Sequence, residues 1–339
     1  MKAVVLCAGL GTRLRPLTEH WPKPAIPVLG QPLFRYALAL LRSAGVDSVG
    51  VNVHHLADRM EAVARAECER ASVSVQVFPE PIIQGTAGGI RGFRALLGED
   101  DFVTMNGDVL FGFDLGKAIE AHRDSGAAAT MILMPLPAGE NYASVEVDDE
   151  ERVRRIAGRG PGGNRLRPWH FTGAHLMSPA VFDFISPHGP QDVNREVYPR
   201  MMERGLLIRG EVVEGRWFDL GTPAHYLNAQ LALLQEGEVP APLAWASPFF
   251  DAAAQRDGWV REGALVEGTA IGPSFFDAES TVERGATVGP LAYVGPRASV
   301  EKGARVRRTV VLEGARIAPG EDLLNVVAWR GHRIPAGAI

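Results

Sequence analysis

The chain has 339 residues, 46% apolar and 22% charged, with a net charge of −5 at neutral pH. This length suggests two domains with a large core; the acidic balance argues against a nucleic-acid partner, and no run reaches the ~18 apolar residues of a membrane span. The two cysteines, Cys7 and Cys68, make neither a disulfide framework nor a metal cluster, so a reducing compartment, the cytoplasm, is expected.

Residues 2–7 read as a buried strand, too short for a signal segment and leading straight into a glycine loop. A helix is expected over 33–44, a strand over 48–53, a helix over 56–70 and a strand over 73–78. A helix follows over 88–97, then a strand over 101–105 that stops at Asn106-Gly107-Asp108. A helix over 115–125 and a strand over 128–135 come next, then an alternating stretch over 142–147 and a glycine-rich loop over 158–164. Short apolar runs alternating with amphipathic helices indicate an α/β domain, assigned to residues 1–235. Pro240, Pro242 and Pro248 break the periodicity of 236–258, which reads as a linker.

From 259 to 339 the period changes to six. Val282, Val288, Val294, Val300, Val306 and Leu312 are spaced six apart, and Ala286, Ala292, Ala298 and Ala304 precede the middle four by two. Val260 and Val266 keep the period, while Ile271 falls one short. One branched residue per short unit, with small residues at the corners, describes a solenoid whose turns bury their faces on one another. The pattern resembles the hexapeptide repeat of left-handed parallel β-helices. Residues 260–328 contain no histidine, which argues against a second, acyl-transferring activity in this part. Its expected role is stabilisation and homo-oligomer formation.

The loop after the first strand reads Leu6-Cys7-Ala8-Gly9-Leu10-Gly11-Thr12-Arg13-Leu14. Glycines let the backbone approach a ligand, successive amides can cradle phosphate oxygens, and Arg13 and Arg15 add charged donors. It is neither a Walker A sequence nor a dinucleotide fingerprint. The run continues Pro16-Leu17-Thr18 and Pro22-Lys23-Pro24. As a whole, this stretch resembles the signature of sugar-1-phosphate nucleotidylyltransferases. The resemblance covers about residues 1–235, and a hexapeptide β-helix is a common C-terminal partner in that family. The implied fold is α/β, a Rossmann-like mixed-sheet nucleotidyltransferase domain followed by a left-handed parallel β-helix.

The resemblance also implies roles. Arg13, Lys23, Asp108 and Asp219 would be catalytic. Leu6, Ala8, Gly9, Gly11, Thr12 and Arg13 would bind the NTP, with Lys23 at the α-phosphate. Asp108 and Asp219, about 110 residues apart, would hold Mg²⁺, whose taste for hard oxygen ligands suits two carboxylates. Asn106 and Gly107 would flank the nucleotide. Gly85-Thr86-Ala87 resembles the base- and ribose-binding loop, and Glu80 lies where a base-edge contact is expected. A carboxylate there suits the adjacent N1–H and N2–H of guanine, which leans the reading towards GTP.

On the sugar side, Phe171-Thr172-Gly173 resembles the contact turn of mannose-1-phosphate guanylyltransferase-like and muramic-acid-phosphate uridylyltransferase-like proteins. Thr172, Gly173, Tyr142, Ala143 and Asn194 are the expected substrate contacts. No Glu-Lys-Pro precedes this turn, so Arg165 or Arg167 would take over the sugar phosphate, and Ala143 stands where many relatives have glycine. GTP plus mannose 1-phosphate is the favoured pair. The alternatives are another nucleotide with another sugar 1-phosphate, or a non-catalytic regulatory homologue.

Overall fold

Branched aliphatic runs and amphipathic stretches alternate along the first two-thirds of the chain, and the computed structural model, which describes residues 1–337, shows what they build. Its elements are β1 (Lys2–Leu6), α1 (Leu33–Ser43), β2 (Ser48–Val53), α2 (Ala57–Ala71), β3 (Ser74–Pro79), α3 (Gly85–Arg91) and β4 (Phe102–Asn106). They continue with α4 (Leu115–Ser125), β5 (Ala129–Met134), β6 (Ser144–Val147), β7 (Val153–Ile156), β8 (Arg167–Met177), β9 (Ile208–Val212) and α5 (Pro223–Glu236). The chain falls into two units. The first holds Met1–Leu10, Thr18–Ala25 and Phe34–Trp217; the second holds Gly11–Leu17, Ile26–Leu33 and the chain from Phe218 onward.

The first unit is a nine-stranded mixed sheet. β1 runs parallel between β2 and β4, and β3 extends the parallel side. β8 turns the sheet antiparallel, pairing β4, β5 and β6, and β9 lies parallel to β5. Strands buried on both faces need unbroken apolar runs, and Ala3, Val4 and Val5 are fully buried. On α2 the buried residues Met60, Ala64, Cys68 and Ala71 recur at helical spacing. Glu67 lies on the same buried stripe, where Arg35 of α1 donates to its two oxygens at 2.6 and 2.8 Å. A two-pronged guanidinium is the partner that makes such a buried carboxylate tolerable.

Two elements depart from the expectation. The helix expected over 88–97 is two helices, α3 and Arg94–Leu97. α3 starts three residues early because its first turn is anchored: Ala87 N–H donates to the Gln191 carbonyl at 2.9 Å. It stops at Gly92, where a Cβ would meet the Phe78 ring at 2.7 Å. The stretch 236–258 is also more structured than expected. It carries a 3₁₀ turn at Ala241–Ala246 and the strand Ala252–Gln255, paired antiparallel with Gly258–Arg261.

In the second unit three parallel sheets stack into a β-helix. Val266, Val282, Val300 and Ile317 are in register on one face, and Val288, Val306 and Leu323 on another. Ala286, Ala292, Ala298 and Ala304 are fully buried with them. The six-residue count fails at two places. Ala270, not Ile271, pairs with Val288, and Ile271 is 42% exposed, because adjacent strand residues point to opposite sides. Val311, not Leu312, pairs with Val294, because this coil is one residue shorter than the one before it. Ala338 and Ile339, the end of the expected 259–339 span, lie outside the described residues.

Ala298 is fully buried in the same core cluster as Val282 and Val300. Overpacking a filled coil costs about 1–3 kcal/mol. Ala298→Leu is therefore expected to lower the unfolding free energy of the β-helix transition by that amount, read as a lower midpoint in urea melts; an unchanged midpoint would show that the coils have slack.

Candidate active site

The expected nucleotide residues of the first unit gather at the carboxyl ends of the parallel strands. Leu6 ends β1 in register with Asn52 of β2 and Asn106 of β4, and Gly107 N–H donates to the Leu6 carbonyl at 2.9 Å. Ligand sites of open α/β sheets lie at this edge. Ala8 is buried just beyond it, whereas the outward side of Gly9 is open, with nothing within 4 Å of a would-be Cβ. Gly107 is a glycine of necessity, since a Cβ there would fall 2.6 Å from Cys7 Sγ. Burial, with the nearby Asp108 charge, pushes the Cys7 thiol well above its usual range, so it is no thiolate nucleophile.

Lys23 lies in the 3₁₀ turn Lys23–Ala25, with prolines on both sides in sequence. Its side chain is 6% exposed and its Nζ donates to Asp108 Oδ2 at 2.9 Å, while Asp108 is 40% exposed. The ammonium is thus held at the strand edge by a carboxylate that still faces outward.

Asn52 was not expected at the site. Its Oδ1 accepts from Cys7 N–H at 2.7 Å, and its Nδ2 donates to Glu80 Oε1 at 2.8 Å. The other oxygen, Glu80 Oε2, accepts from Gln84 N–H at 2.8 Å. Both oxygens of Glu80 are therefore engaged within the chain, and the residue is buried. What it does here is tie the loop before α3 to the start of the glycine loop. Each oxygen carries one internal bond, so the carboxylate expected at the base edge is held in a fixed place. Gly85 (φ +70°) lets the chain pass Gln191, whose carbonyl would lie 2.5 Å from a Cβ. Thr86 Oγ1 accepts from Val193 N–H at 2.8 Å, so Gly85-Thr86-Ala87 is fastened to the segment that carries Asn194. Asn194 sits in a π-helical turn, Val193–Val197, and its Oδ1 is buried with no hydrogen-bond partner among the described residues. An orphaned acceptor of this kind is an open place for a ligand hydroxyl.

The Thr172-Gly173 turn is a bulge. The register of β8 against β5 shifts between Phe171 and His175, and pairing with β4 begins only at Ala174. Gly173 (φ +91°) fits because a Cβ would fall 2.9 Å from Asn106 Nδ2. The Thr172 hydroxyl donates to the Ile132 carbonyl at 2.8 Å, and Trp217 Nε1 caps the Thr172 carbonyl at 2.9 Å. Trp217, Tyr142 and His170 form an aromatic cluster with ring centroids 4.4–5.6 Å apart, and Ala143 beside it is exposed. Only their meeting in space marks Trp217 and His170; the sequence signal was an aromatic residue two positions before Asp219.

Arg167 is not brought to this turn. It starts β8, 60% exposed, 3.8 Å from Asp149. Five residues of strand, at ~3.3 Å each, separate it from Thr172, and in this structure it forms a solvated surface pair. Arg165 is likewise exposed.

The second unit holds the remaining residues. Gly11 (φ +60°) opens a 3₁₀ turn, Thr12–Leu14, in which Arg13 is exposed. Arg13 and Asp219 close around Gly221: a Cβ there would lie 2.9 Å from Arg13 Nη2 and from both Asp219 oxygens. His225 Nδ1 is 3.4 Å from Asp219 Oδ2, and Thr222 caps α5, accepting from His225 N–H at 3.2 Å. As metal donors Asp108 and Asp219 offer carboxylate oxygens alone. Among the described residues no group of three or more His, Cys, Asp and Glu could hold a metal by itself. Carboxylate oxygen is the donor taken by an ion that completes its shell with phosphate and water, as Mg²⁺ does, rather than by a zinc cage.

With this geometry in hand, the comparisons place the chain. A family model described as nucleotidyl transferase matches residues 2–236, and the chain belongs to that family, within its sugar-1-phosphate nucleotidylyltransferases. Its relatives include a mannose-1-phosphate guanylyltransferase of Mycobacterium tuberculosis, 30% identical over 94% of this chain and 81% of that protein. A UTP–glucose-1-phosphate uridylyltransferase of Synechocystis is 29% identical over 97% and 87%. The solved structure of HddC from Yersinia pseudotuberculosis in complex with GMP-PN shares the fold. Its TM-score is 0.58 at 22% identity, over 68% of this chain and 99% of that one. No described helix is long and apolar enough to cross a membrane.

Just below the bulge, His175 Nδ1 and the Tyr198 hydroxyl share a 2.9 Å hydrogen bond, both fully buried. Burial pushes His175 down to about 3. A depressed folded pKa means that the unfolded chain takes up a proton which the folded chain refuses, as pH falls below about 6.5. Stability is thus expected to decline between about pH 6.5 and pH 3 by up to about 1.4 kcal/mol per pH unit from this group. Urea melts of His175→Phe across that range should show a shallower dependence of stability on pH; an identical dependence would show that His175 does not contribute to it.

Proposed function

We propose that the protein transfers a nucleoside monophosphate from an NTP to a sugar 1-phosphate, releasing pyrophosphate, and that GTP and mannose 1-phosphate are its preferred pair. A phosphate oxygen of the sugar 1-phosphate attacks the α-phosphorus, the bond from that phosphorus to the β-phosphate bridging oxygen breaks, and pyrophosphate leaves. The attacking phosphate is already an anion, so no side-chain nucleophile is needed. What is needed is charge compensation at the α-phosphate and in-line placement.

The observation that carries this reading is the sheltered Lys23 ammonium at the carboxyl edge of β1 and β4, aimed by Asp108. The Gly9–Gly11 backbone and Arg13 would take the β- and γ-phosphates. Asp108 and Asp219 would hold Mg²⁺, which when bound supplies Lewis-acid charge neutralisation at the phosphates. His225 keeps Asp219 in place. The buried, unpartnered Asn194 Oδ1 would accept from a sugar hydroxyl, and the Tyr142–His170–Trp217 cluster would form the adjacent wall. The mannose and guanine assignment rests on the guanylyltransferase relatives, on the Phe171-Thr172-Gly173 resemblance and on Glu80 as a base-edge contact. A second reading, UTP with glucose 1-phosphate, is favoured by the Synechocystis relative. We further propose cytoplasmic location, residues 1–235 as the catalytic domain and 259–339 as the β-helix domain, and self-association through the β-helix.

Removing one donor that stabilises developing charge costs about 10²–10³ in kcat. Lys23→Ala and Asp108→Asn are expected to lose that much in Mg²⁺-dependent pyrophosphate release, with the substrate KM values changing far less. Near-wild-type rates in either would refute the site. A panel of the four NTPs against mannose, glucose, N-acetylglucosamine, muramic-acid and heptose 1-phosphates decides the pair. Preference for UTP with glucose 1-phosphate would replace the first reading by the second.

A further inference from the structure

The segment that follows Lys23 does not end as a free loop. Pro27–Val28 and Gln31–Pro32 form a short hairpin whose base is closed by Leu33 N–H donating to the Ile26 carbonyl at 3.0 Å. Its tip, Leu29-Gly30, has positive φ at both residues (45° and 79°) and is clamped from two sides within the second unit. On one side α5 reaches it: Gln230 Oε1 accepts from Leu29 N–H at 3.0 Å, and the Tyr226 hydroxyl donates to the Pro27 carbonyl.

On the other side is the β-helix. Trp259, Phe275, Tyr293, Val310 and Val327 form one outward-pointing row across its coils. Phe275 and Tyr293 are nonetheless fully buried. Set in this row is a polar cluster. Asp277 is 1% exposed and accepts from the Tyr293 hydroxyl at 2.6 Å, from Arg261 Nη1 at 3.0 Å and from Ala278 N–H at 2.7 Å. Gly30 sits directly on this cluster: a Cβ there would lie 2.5 Å from Asp277 Oδ2 and 2.6 Å from the Tyr293 hydroxyl oxygen. Only a residue without a side chain, at a φ that glycine tolerates, can bring its backbone so close.

An adhesive contact would call for apolar side chains. This face instead meets the hairpin tip with a buried, internally bonded carboxylate and a phenol, groups that are costly to bury and held in one geometry by their own hydrogen bonds, so that they form a stiff stop for Gly30. The hairpin is also stiff. Pro22, Pro24 and Pro27 each lock φ, and Ala25 N–H donates to the Pro22 carbonyl at 2.8 Å. A shift at Gly30 therefore has few soft torsions to dissipate in before it reaches Lys23. We propose that Asp277 and Tyr293 of the β-helix are positioning residues for Lys23, acting through the Gly30 hairpin, so that the β-helix is part of the catalytic apparatus as well as a scaffold. This rests on the functional reading of Lys23 above.

The test is a double-mutant cycle on the full-length protein, assayed below its melting transition. Tyr293→Phe keeps the ring and removes the hydroxyl; it is expected to lower kcat about tenfold while both KM values stay within about twofold. In a Lys23→Ala background the same change should have no further effect, because the residue it acts through is gone. Gly30→Ala leaves the cluster whole and pushes on it from the hairpin side, and should show the same non-multiplying pattern. If the effects of Tyr293→Phe and Lys23→Ala multiply, or if Tyr293→Phe leaves kcat unchanged, the positioning role is wrong. If Lys23→Ala alone leaves the rate intact, the functional reading falls first and this inference with it.

Discussion

A lysine with 6% of its side chain exposed carries a charge that water barely screens, and the Asp108 carboxylate 2.9 Å away makes that tolerable. A lone buried ammonium would cost several kcal/mol. The pair settles that cost locally and leaves Asp108 open on its outer side. Much of the first unit can be read as the setting for this pair. Parallel β1 and β4 place Leu6 and Asn106 side by side, Gly107 allows the chain to pass Cys7, and Gly173 leaves room for the Asn106 side chain. A methyl group at either glycine would disturb the strand end on which Asp108 depends.

A second constraint is that backbone amides and carbonyls freed at strand ends must find partners. Asn52 takes the Cys7 amide and hands its own amide to Glu80, which in turn takes Gln84. Trp217 takes the Thr172 carbonyl released by the bulge. These side chains do no chemistry; they keep irregular backbone in one conformation, which is what preorganised charge stabilisation requires. In the second unit Gln230 gives the Leu29 amide at the hairpin tip the same kind of support.

The parts of this arrangement carried by contiguous motifs were legible in the sequence. The glycine loop, the Pro-Lys-Pro turn and Asp108 at a strand end are local features, and the solenoid period named its own interior residues. The period misled only where a coil is shorter, at Val311, and where Ile271 stands one residue out of register. What could not be read depends on pairing across distance. Asn52 is an ordinary polar residue at a strand end until Cys7 and Glu80 are placed beside it. The two internal partners of Glu80 lie 28 residues before it and four after. Arg167 looked adjacent to the sugar turn in sequence, but a strand stretches five residues into a long separation. The load on Gly30 is invisible without the β-helix face that meets it.

In the proposed reaction the α-phosphate of an NTP becomes part of a nucleotide sugar in one displacement. Incubation with Mg²⁺, mannose 1-phosphate and GTP labelled at the α- or the γ-phosphate tests this most directly. α-Label should move into a nucleotide sugar while γ-label appears in pyrophosphate, in equal amounts and only when both substrates are present. Across the full panel of NTPs and sugar 1-phosphates, α-label that stays in the nucleotide, or γ-label released as single phosphate, would contradict it.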